Sequence, residues 1–150
     1  MYATVLAIHN ILRWIVLIVG IIAVVRAWRG WLGKREWGKN DRMMGMFFSS
    51  GIDTQLLLGL LLYFFLSPIT KGALSDFGSA WSVGGDLRFF AIEHVSLMVL
   101  AAVFAHVGSA MAKKTPDAAS KHKQAAIWFS LTMLAILVAI PWWRPLFPGL

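Results

Sequence analysis

The chain has 150 residues, of which 59% are hydrophobic and 14% are charged, with a formal net charge of +7 and no cysteine. Soluble domains are nearer half apolar and a quarter charged, so this composition is typical of a membrane protein. Without cysteine the chain cannot form a disulfide, an iron–sulfur cluster or a thiolate zinc site. The basic segments are short and lack interleaved aromatic residues, so we expect no nucleic-acid partner.

Four apolar stretches each approach the ~20 residues that a helix needs to cross a bilayer. They cover roughly residues 4–28, 46–66, 89–112 and 125–143, and short polar connections with glycine or proline separate them. The first stretch is too long for the apolar part of a signal peptide, so we predict that it is the first span. The sequence therefore predicts an all-α fold, a single integral membrane domain of four transmembrane helices.

Lysine and arginine residues concentrate in the first and third connections. The positive-inside rule places these two connections in the cytoplasm and both termini on the outer, periplasmic side of a bacterial inner membrane. We expect the bilayer to be the main partner of the helices. The residues that carry this argument are Arg26, Arg29, Lys34, Arg35, Lys39 and Arg42 in the first connection, and Lys113, Lys114, Lys121 and Lys123 in the third.

Two histidines lie at matched depth on the first and third predicted helices. At ~1.5 Å of rise per residue, His9 and His94 each lie roughly 9 Å below the outer boundary. A haem b with one imidazole on each side of its iron needs this arrangement. Arg88 and Lys71, near the outer end, are candidates to pair with the haem propionates. The sequence therefore predicts a metal-centred cofactor held by His9 and His94.

Small residues on the same helix faces are compatible with a porphyrin. Gly20 shares the face of His9, and Ala101 and Ala105 share the face of His94. The competing interpretation is that the two histidines are packed groups, each bonded to a neighbouring backbone or carboxylate. This alternative stays open from the sequence, because the order in which the helices pack is not known at this point.

Further ionisable residues lie inside the predicted spans, where an unpaired charge is costly. Arg13 and Asp53 fall within roughly 5 Å of each other in depth, which predicts an ion pair between the first two helices. Glu93 is an alternative partner for Arg13. If Arg13 pairs with Asp53 instead, we expect Glu93 to orient His9 or to carry a proton. His106 is rotated roughly 120° from His94, which favours an interfacial histidine over a second haem ligand or part of a quinone pocket.

Three further positions carry predictions about packing and exposure. His122 lies between Lys121 and Lys123 in a predicted cytoplasmic connection, so we expect it to be solvated. Gln55 and Gly59 share a face of the second helix and favour close helix packing with an interhelical hydrogen bond.

Several stretches of the sequence are distinctive when taken together: His9-Asn-Ile-Leu-Arg-Trp14, Gly30-Trp-Leu-Gly-Lys34, Asp53-Thr-Gln-Leu-Leu-Leu-Gly59, Leu62-Tyr63-Phe64, Leu87-Arg-Phe-Phe-Ala-Ile-Glu-His94 and Ala139-Ile-Pro-Trp142. They resemble a family of small bacterial four-helix membrane proteins labelled cytochrome b-like. The resemblance implies haem b, with His9 and His94 at the positions of the family's membrane histidines. The four-histidine pattern of two-haem b-type cytochromes is not reproduced.

The leading functional hypothesis is a cytochrome b-like protein with one haem near the outer face, exchanging electrons with a quinone or a partner subunit. A second hypothesis is a cofactor-free accessory subunit of a larger membrane complex. A third is a small proton-coupled transporter that uses Glu93, Arg13 and Asp53. The sequence leaves open whether the protein is an enzyme.

Overall fold

The computed structural model describes residues 1–145, and these residues fold into helices connected by short segments. Two five-residue π-helical turns, Leu62–Leu66 and Phe89–Glu93, interrupt the longer helices. The α-helices are α1 (Tyr2–Leu32), α2 (Lys39–Leu61), α3 (Pro68–Ser75), α4 (Phe77–Val83), α5 (Gly85–Arg88), α6 (His94–Lys114) and α7 (Ala118–Ala139).

Within residues 1–145, four continuous helical segments are long and apolar enough to cross a membrane: Tyr2–Leu32, Lys39–Leu66, Gly85–Lys114 and Ala118–Ala139. The all-α prediction with four spans is confirmed at this level. The fourth helix ends at Ala139, earlier than the predicted end at residue 143. Pro141 disfavours helical backbone at the residue before it, and Ile140 is accordingly extended.

The four long segments pack as a ring in which each contacts two neighbours. The neighbouring pairs are α1 with α2, α2 with α6, α6 with α7, and α7 with α1. Helices α1 and α6 therefore lie diagonally opposite each other. Adjacent segments run antiparallel, so Tyr2, the Leu66–Gly85 region and Ala139 meet at one end, which we call the terminal end. The opposite end, where residues 33–38 and 115–117 connect the helices, is the basic end.

Small residues let the helices approach closely in the bundle core. Ala101, Ala105 and Ala126 are fully buried, and Gly20 packs directly against Phe48 and Met133. The prediction that Gly20, Ala101 and Ala105 make room for a porphyrin is therefore wrong, because other helices already occupy the space beside them.

The two π-helical turns lie side by side at the terminal end. The Tyr63 hydroxyl, in the first turn, donates to the Ala91 carbonyl in the second at 2.8 Å. The Thr70 hydroxyl donates to the Tyr63 carbonyl at 2.7 Å and so satisfies a carbonyl left over where the helix ends. π-Helical turns often lie at functional sites. Here the second turn leads directly into His94, the first residue of α6.

Candidate functional site

A cavity of about 400 Å³ opens among the four long helices at the terminal end. Its volume falls within the range of roughly 300–1,000 Å³ that is usual for small-molecule sites. The walls are mainly apolar, with a few polar groups from different helices. The polar lining residues from the long helical segments are Tyr2, His9, Asn10 and Arg13 of α1, Gln55 and Tyr63 of the second segment, and His94 of α6.

His9 and His94 reach this cavity from diagonally opposite helices. Their ring centres lie 6.4 Å apart, and the ring planes are inclined at 67°. The sequence prediction that the two histidines share one level is confirmed by this contact. The order of helix packing, which the sequence left open, places α1 and α6 across the bundle from each other, and the two rings meet between them.

A backbone hydrogen bond fixes the orientation of the His94 ring. The His94 Nδ1 lies 2.7 Å from the Ala139 carbonyl oxygen, so Nδ1 carries the proton and donates. Nε2 of the neutral ring then keeps its lone pair for another partner. The carbonyl is that of the last residue of α7. The break of helix α7 before Pro141 therefore leaves this acceptor free for His94.

The position of His9 is set from helix α2. The Gln55 amide nitrogen donates to the His9 carbonyl at 3.0 Å, as the interhelical hydrogen bond predicted from the sequence requires. Gly59 lies against the ring, where an added Cβ would be 3.4 Å from His9 Cε1. His9 Nδ1 is buried and has no hydrogen-bond partner among the described residues. Buried polar atoms of this kind call for an explanation, such as a missing ligand.

Two arginines bring positive charge to the cavity lining, Arg13 and Arg144. Arg88 and Lys71, predicted from the sequence, do not line it. Arg88 instead pairs with Glu93 at 2.7 Å on the exposed surface. The guanidinium of Arg144 lies 5.3 Å from the centre of the Phe90 ring and 3.8 Å from an Asp86 oxygen.

The acidic residues of the spans have partners that differ from those predicted. The Asp53 carboxylate bonds His106 Nε2 at 2.8 Å instead of Arg13, because Asp53 and Arg13 lie on different sides of the bundle. Glu93 bonds Arg88 and does not orient His9. Glu93, Arg13 and Asp53 therefore do not form one site, although the transporter hypothesis uses them together.

His122 is buried, contrary to the solvated histidine expected between two lysines. It is 1% exposed, with its ring centre 4.8 Å from that of Trp37. The missing side chain of Gly30 admits the ring against α1, and Nε2 lies 3.3 Å from the Glu36 carbonyl. The lysines on either side suggested a solvated position. The sequence alone does not reveal that Gly30 faces position 122.

Sequence reasoning missed Arg144 as a cavity residue, since its position depends on how the chain turns after α7. It also missed the Ala139 carbonyl as a partner of His94. One signal was present for the latter: Ile140-Pro141 predicts that a helix ends and leaves carbonyls free.

Comparisons with protein-family models, with curated proteins and with solved structures give no match. Within residues 1–145 no cluster of three or more His, Asp or Glu residues could hold a metal ion. His9 and His94 are the pair that could hold a metal-centred cofactor, provided that the cofactor supplies the remaining ligands itself, as a porphyrin does.

Proposed function

We propose that the protein is a b-type cytochrome that holds one haem between His9 and His94 at the terminal end of the bundle and transfers electrons. The observation that carries this proposal is the pair of imidazoles facing each other from diagonal helices across a cavity. The same proposal places both termini on the outer side of a bacterial inner membrane, since the basic end carries most lysine and arginine side chains.

The spacing of the two rings supports this assignment. A metal–imidazole bond is about 2.1 Å long and a ring centre lies about 1.1 Å behind its nitrogen, so two imidazoles on opposite sides of one metal have centres roughly 6.4 Å apart. The observed separation is 6.4 Å. No hydrogen bond joins the two rings among the described contacts, and His94 Nδ1 is bonded to the Ala139 carbonyl instead.

Donor chemistry supports it as well. A histidine that ligates a metal usually donates its other ring N–H to a carbonyl or carboxylate. His94 does this through Nδ1 and the Ala139 carbonyl, which leaves Nε2 as a potential ligand. His9 has a buried ring nitrogen for which the described residues provide no partner. His94 therefore has the orientation of an axial ligand, and His9 offers a buried ring nitrogen to the same cavity.

The cations of the cavity fit the carboxylates of a haem. Arg144 lies at the terminal end, where propionates would reach the membrane surface, and Arg13 lies one turn below His9 on α1. In the proposal, Arg144 pairs with the haem propionates, a role that the sequence analysis assigned to Arg88. Guanidinium groups suit carboxylates because their donors match both oxygens.

When bound, haem b supplies one-electron redox chemistry, with a potential set by its two axial ligands and their hydrogen bonds. The chain contributes the ligands, orients His94 and surrounds the site with apolar residues. The electron partner in this proposal is a membrane quinone or another subunit.

Three single-histidine variants test the assignment. His9→Ala and His94→Ala each remove one proposed ligand, whereas the control His106→Ala removes a histidine outside the cavity. Each protein is purified in mild detergent after expression with ample haem. Haem per chain is then measured, and circular dichroism checks that the helices are retained.

We expect His106→Ala to keep the haem content of the unaltered protein and the other two variants to lose most of it. Retention of a full haem complement by a folded His9→Ala or His94→Ala protein would contradict the ligand assignment. Absence of haem from every protein, together with stoichiometric partner subunits, would favour the accessory-subunit hypothesis.

A further inference from the structure

The hydrogen-bonded pair of Asp53 and His106 is exposed, although both residues lie well inside helices that are long enough to span a membrane. The two side chains are 44% and 57% exposed, with Oδ1 and Nε2 2.8 Å apart. Along the helix axes, Asp53 is roughly 21 Å from Lys39 and His106 roughly 12 Å from Lys114. Ionisable groups facing hydrocarbon are costly. Water or protein must therefore cover the pair.

A polar groove connects this pair to the basic end. The groove runs between α2 and α6 and has a volume of about 750 Å³, enough for more than ten waters at ~30 Å³ each. Serines line it between the mouth and the pair: Ser49 and Ser50 on α2, and Ser109 on α6. The Ser49 and Ser109 hydroxyls lie 3.0 Å apart. Side chains of this kind suit a hydrated passage and gain nothing from lipid tails.

Charged residues surround the mouth of the groove. Asp41 is bonded to Arg26 at 2.7 Å, which neutralises its charge locally. The remaining charged residues at the mouth are cations and favour a carboxylate deeper in the groove. They are Lys39, Arg42, Lys113 and Lys121.

We propose that this groove is a water-filled inlet from the basic end, and that Asp53 and His106 together form a site that takes up and releases one proton. With neutral His106 beside the Asp53 carboxylate, the pair carries a charge of −1. One proton from the water in the groove binds the imidazole and gives a neutral imidazolium–carboxylate pair, and release reverses the step. Asp53 and Ile52 lie on different sides of α2, toward the groove and the histidine cavity respectively. The inlet does not depend on haem being bound.

Cysteine labelling tests the inlet directly, because the chain has no cysteine of its own. Ser50→Cys and Ser109→Cys place a thiol in the groove. Phe47→Cys and Ala110→Cys are the matched controls, since each lies at similar depth or nearer the basic end but outside the groove lining. Membrane vesicles of both orientations are treated with a membrane-impermeant, thiol-reactive methanethiosulfonate.

The thiolate is the reactive form, and a thiol in lipid stays protonated. We therefore expect the two groove cysteines to react at least roughly tenfold faster than their controls, and only when reagent is added on the side of the basic end. Equal, slow labelling of groove and control positions would overturn the inlet. If Ser50→Cys also cross-linked between two chains, a second copy of the protein would be the cover instead.

The proton site has its own readout. In proteoliposomes containing ¹⁵N-histidine protein, the imidazole signal of His106 is identified as the one missing from His106→Gln. Changing the pH between about 5 and 8, the range in which histidine usually titrates, on the side of the basic end alone should change this signal. The same change on the opposite side should not. A His106 signal that ignores the pH at the basic end would overturn proton exchange even if the groove labels rapidly.

Discussion

Individual side chains decide whether the cavity can accept a flat cofactor. His94 is held by a backbone carbonyl on α7, and His9 lies against Gly59 of α2. Neither contact depends on a charged partner, which suits a site surrounded by apolar residues. The absence of a side chain at Gly59 matters as much as the presence of the two rings, because any larger residue would extend toward His9.

Replacing Gly59 with leucine should empty the proposed cofactor site. The added side chain would grow from a Cβ that already lies 3.4 Å from His9 Cε1 and would occupy part of the cavity. We expect Gly59→Leu to lose most of its haem, as measured per chain in the purified protein. Gly72→Leu is the control, because a Cβ at Gly72 meets nothing within 4 Å. Full haem content in a folded Gly59→Leu protein would argue against a cofactor between the two histidines.

At the residue scale, the sequence was informative where helix geometry alone decides. Counting residues from the helix ends was enough to place His9 and His94 at one level. The partners of polar side chains depend on how the helices are rotated against each other, and the partners predicted from the sequence were wrong. Asp53 bonds His106 instead of Arg13. His122 is buried although lysines flank it, because it faces Gly30 on a helix far away in the chain.

Among the elements, the contact between α1 and α7 depends on the fit of His122 against Gly30. An added methyl group at Gly30 would overlap the imidazole, which also packs against Trp37. Overpacking of a filled core typically costs about 1–3 kcal/mol. We expect Gly30→Ala to lower the free energy of unfolding by this amount in detergent, whereas Gly72→Ala, which adds a methyl group in open space within α3, should not lower it. Equal stability of the two variants would show that the ring moves aside easily.

The start of α7 has a pH-dependent cap. The Ser120 backbone N–H donates to the Asp117 carboxylate at 2.8 Å. This bond lowers the pKa of Asp117, helped by the Ser120 hydroxyl and the nearby charge of Lys121. Because the folded-state pKa lies below the unfolded value of about 3.9, the stabilisation is present above that value and is lost as the pH falls through the folded-state pKa.

Asp117→Ala should therefore unfold more easily than the unaltered protein at pH 7, and the difference should shrink as the pH falls below about 4. Asp117→Asn keeps a capping side chain that does not titrate, so its stability relative to Asp117→Ala should not follow this pH dependence. Denaturation followed by circular dichroism at several pH values measures both. A deficit of Asp117→Ala that stays constant from pH 7 to about 3 would contradict the titrating cap.

Long apolar stretches let the sequence predict the number and type of spanning elements, because bilayer thickness sets their length. The finer bounds were less accessible. The fourth helix ends at Ala139, because Pro141 disfavours helical backbone at Ile140, the residue before it. The π-helical turns at Leu62–Leu66 and Phe89–Glu93 leave no composition signal.

In the whole molecule, the ring of four helices creates two separate polar regions. The histidine cavity lies inside the bundle at the terminal end, and the serine-lined groove lies between α2 and α6 toward the basic end. The sequence could not predict this division, because it depends on which helices are neighbours. The diagonal placement of α1 and α6 is the consequential feature. It brings His9 and His94 together while keeping their backbones apart.

The central claim is that this diagonal pair of histidines holds haem b. The most direct test is a reduced-minus-oxidised visible spectrum of the unaltered protein, purified in mild detergent, with haem quantified per chain. Because two histidine ligands give a low-spin haem, we expect a sharp b-type signal at about one haem per chain. A flat spectrum after expression with ample haem would contradict it.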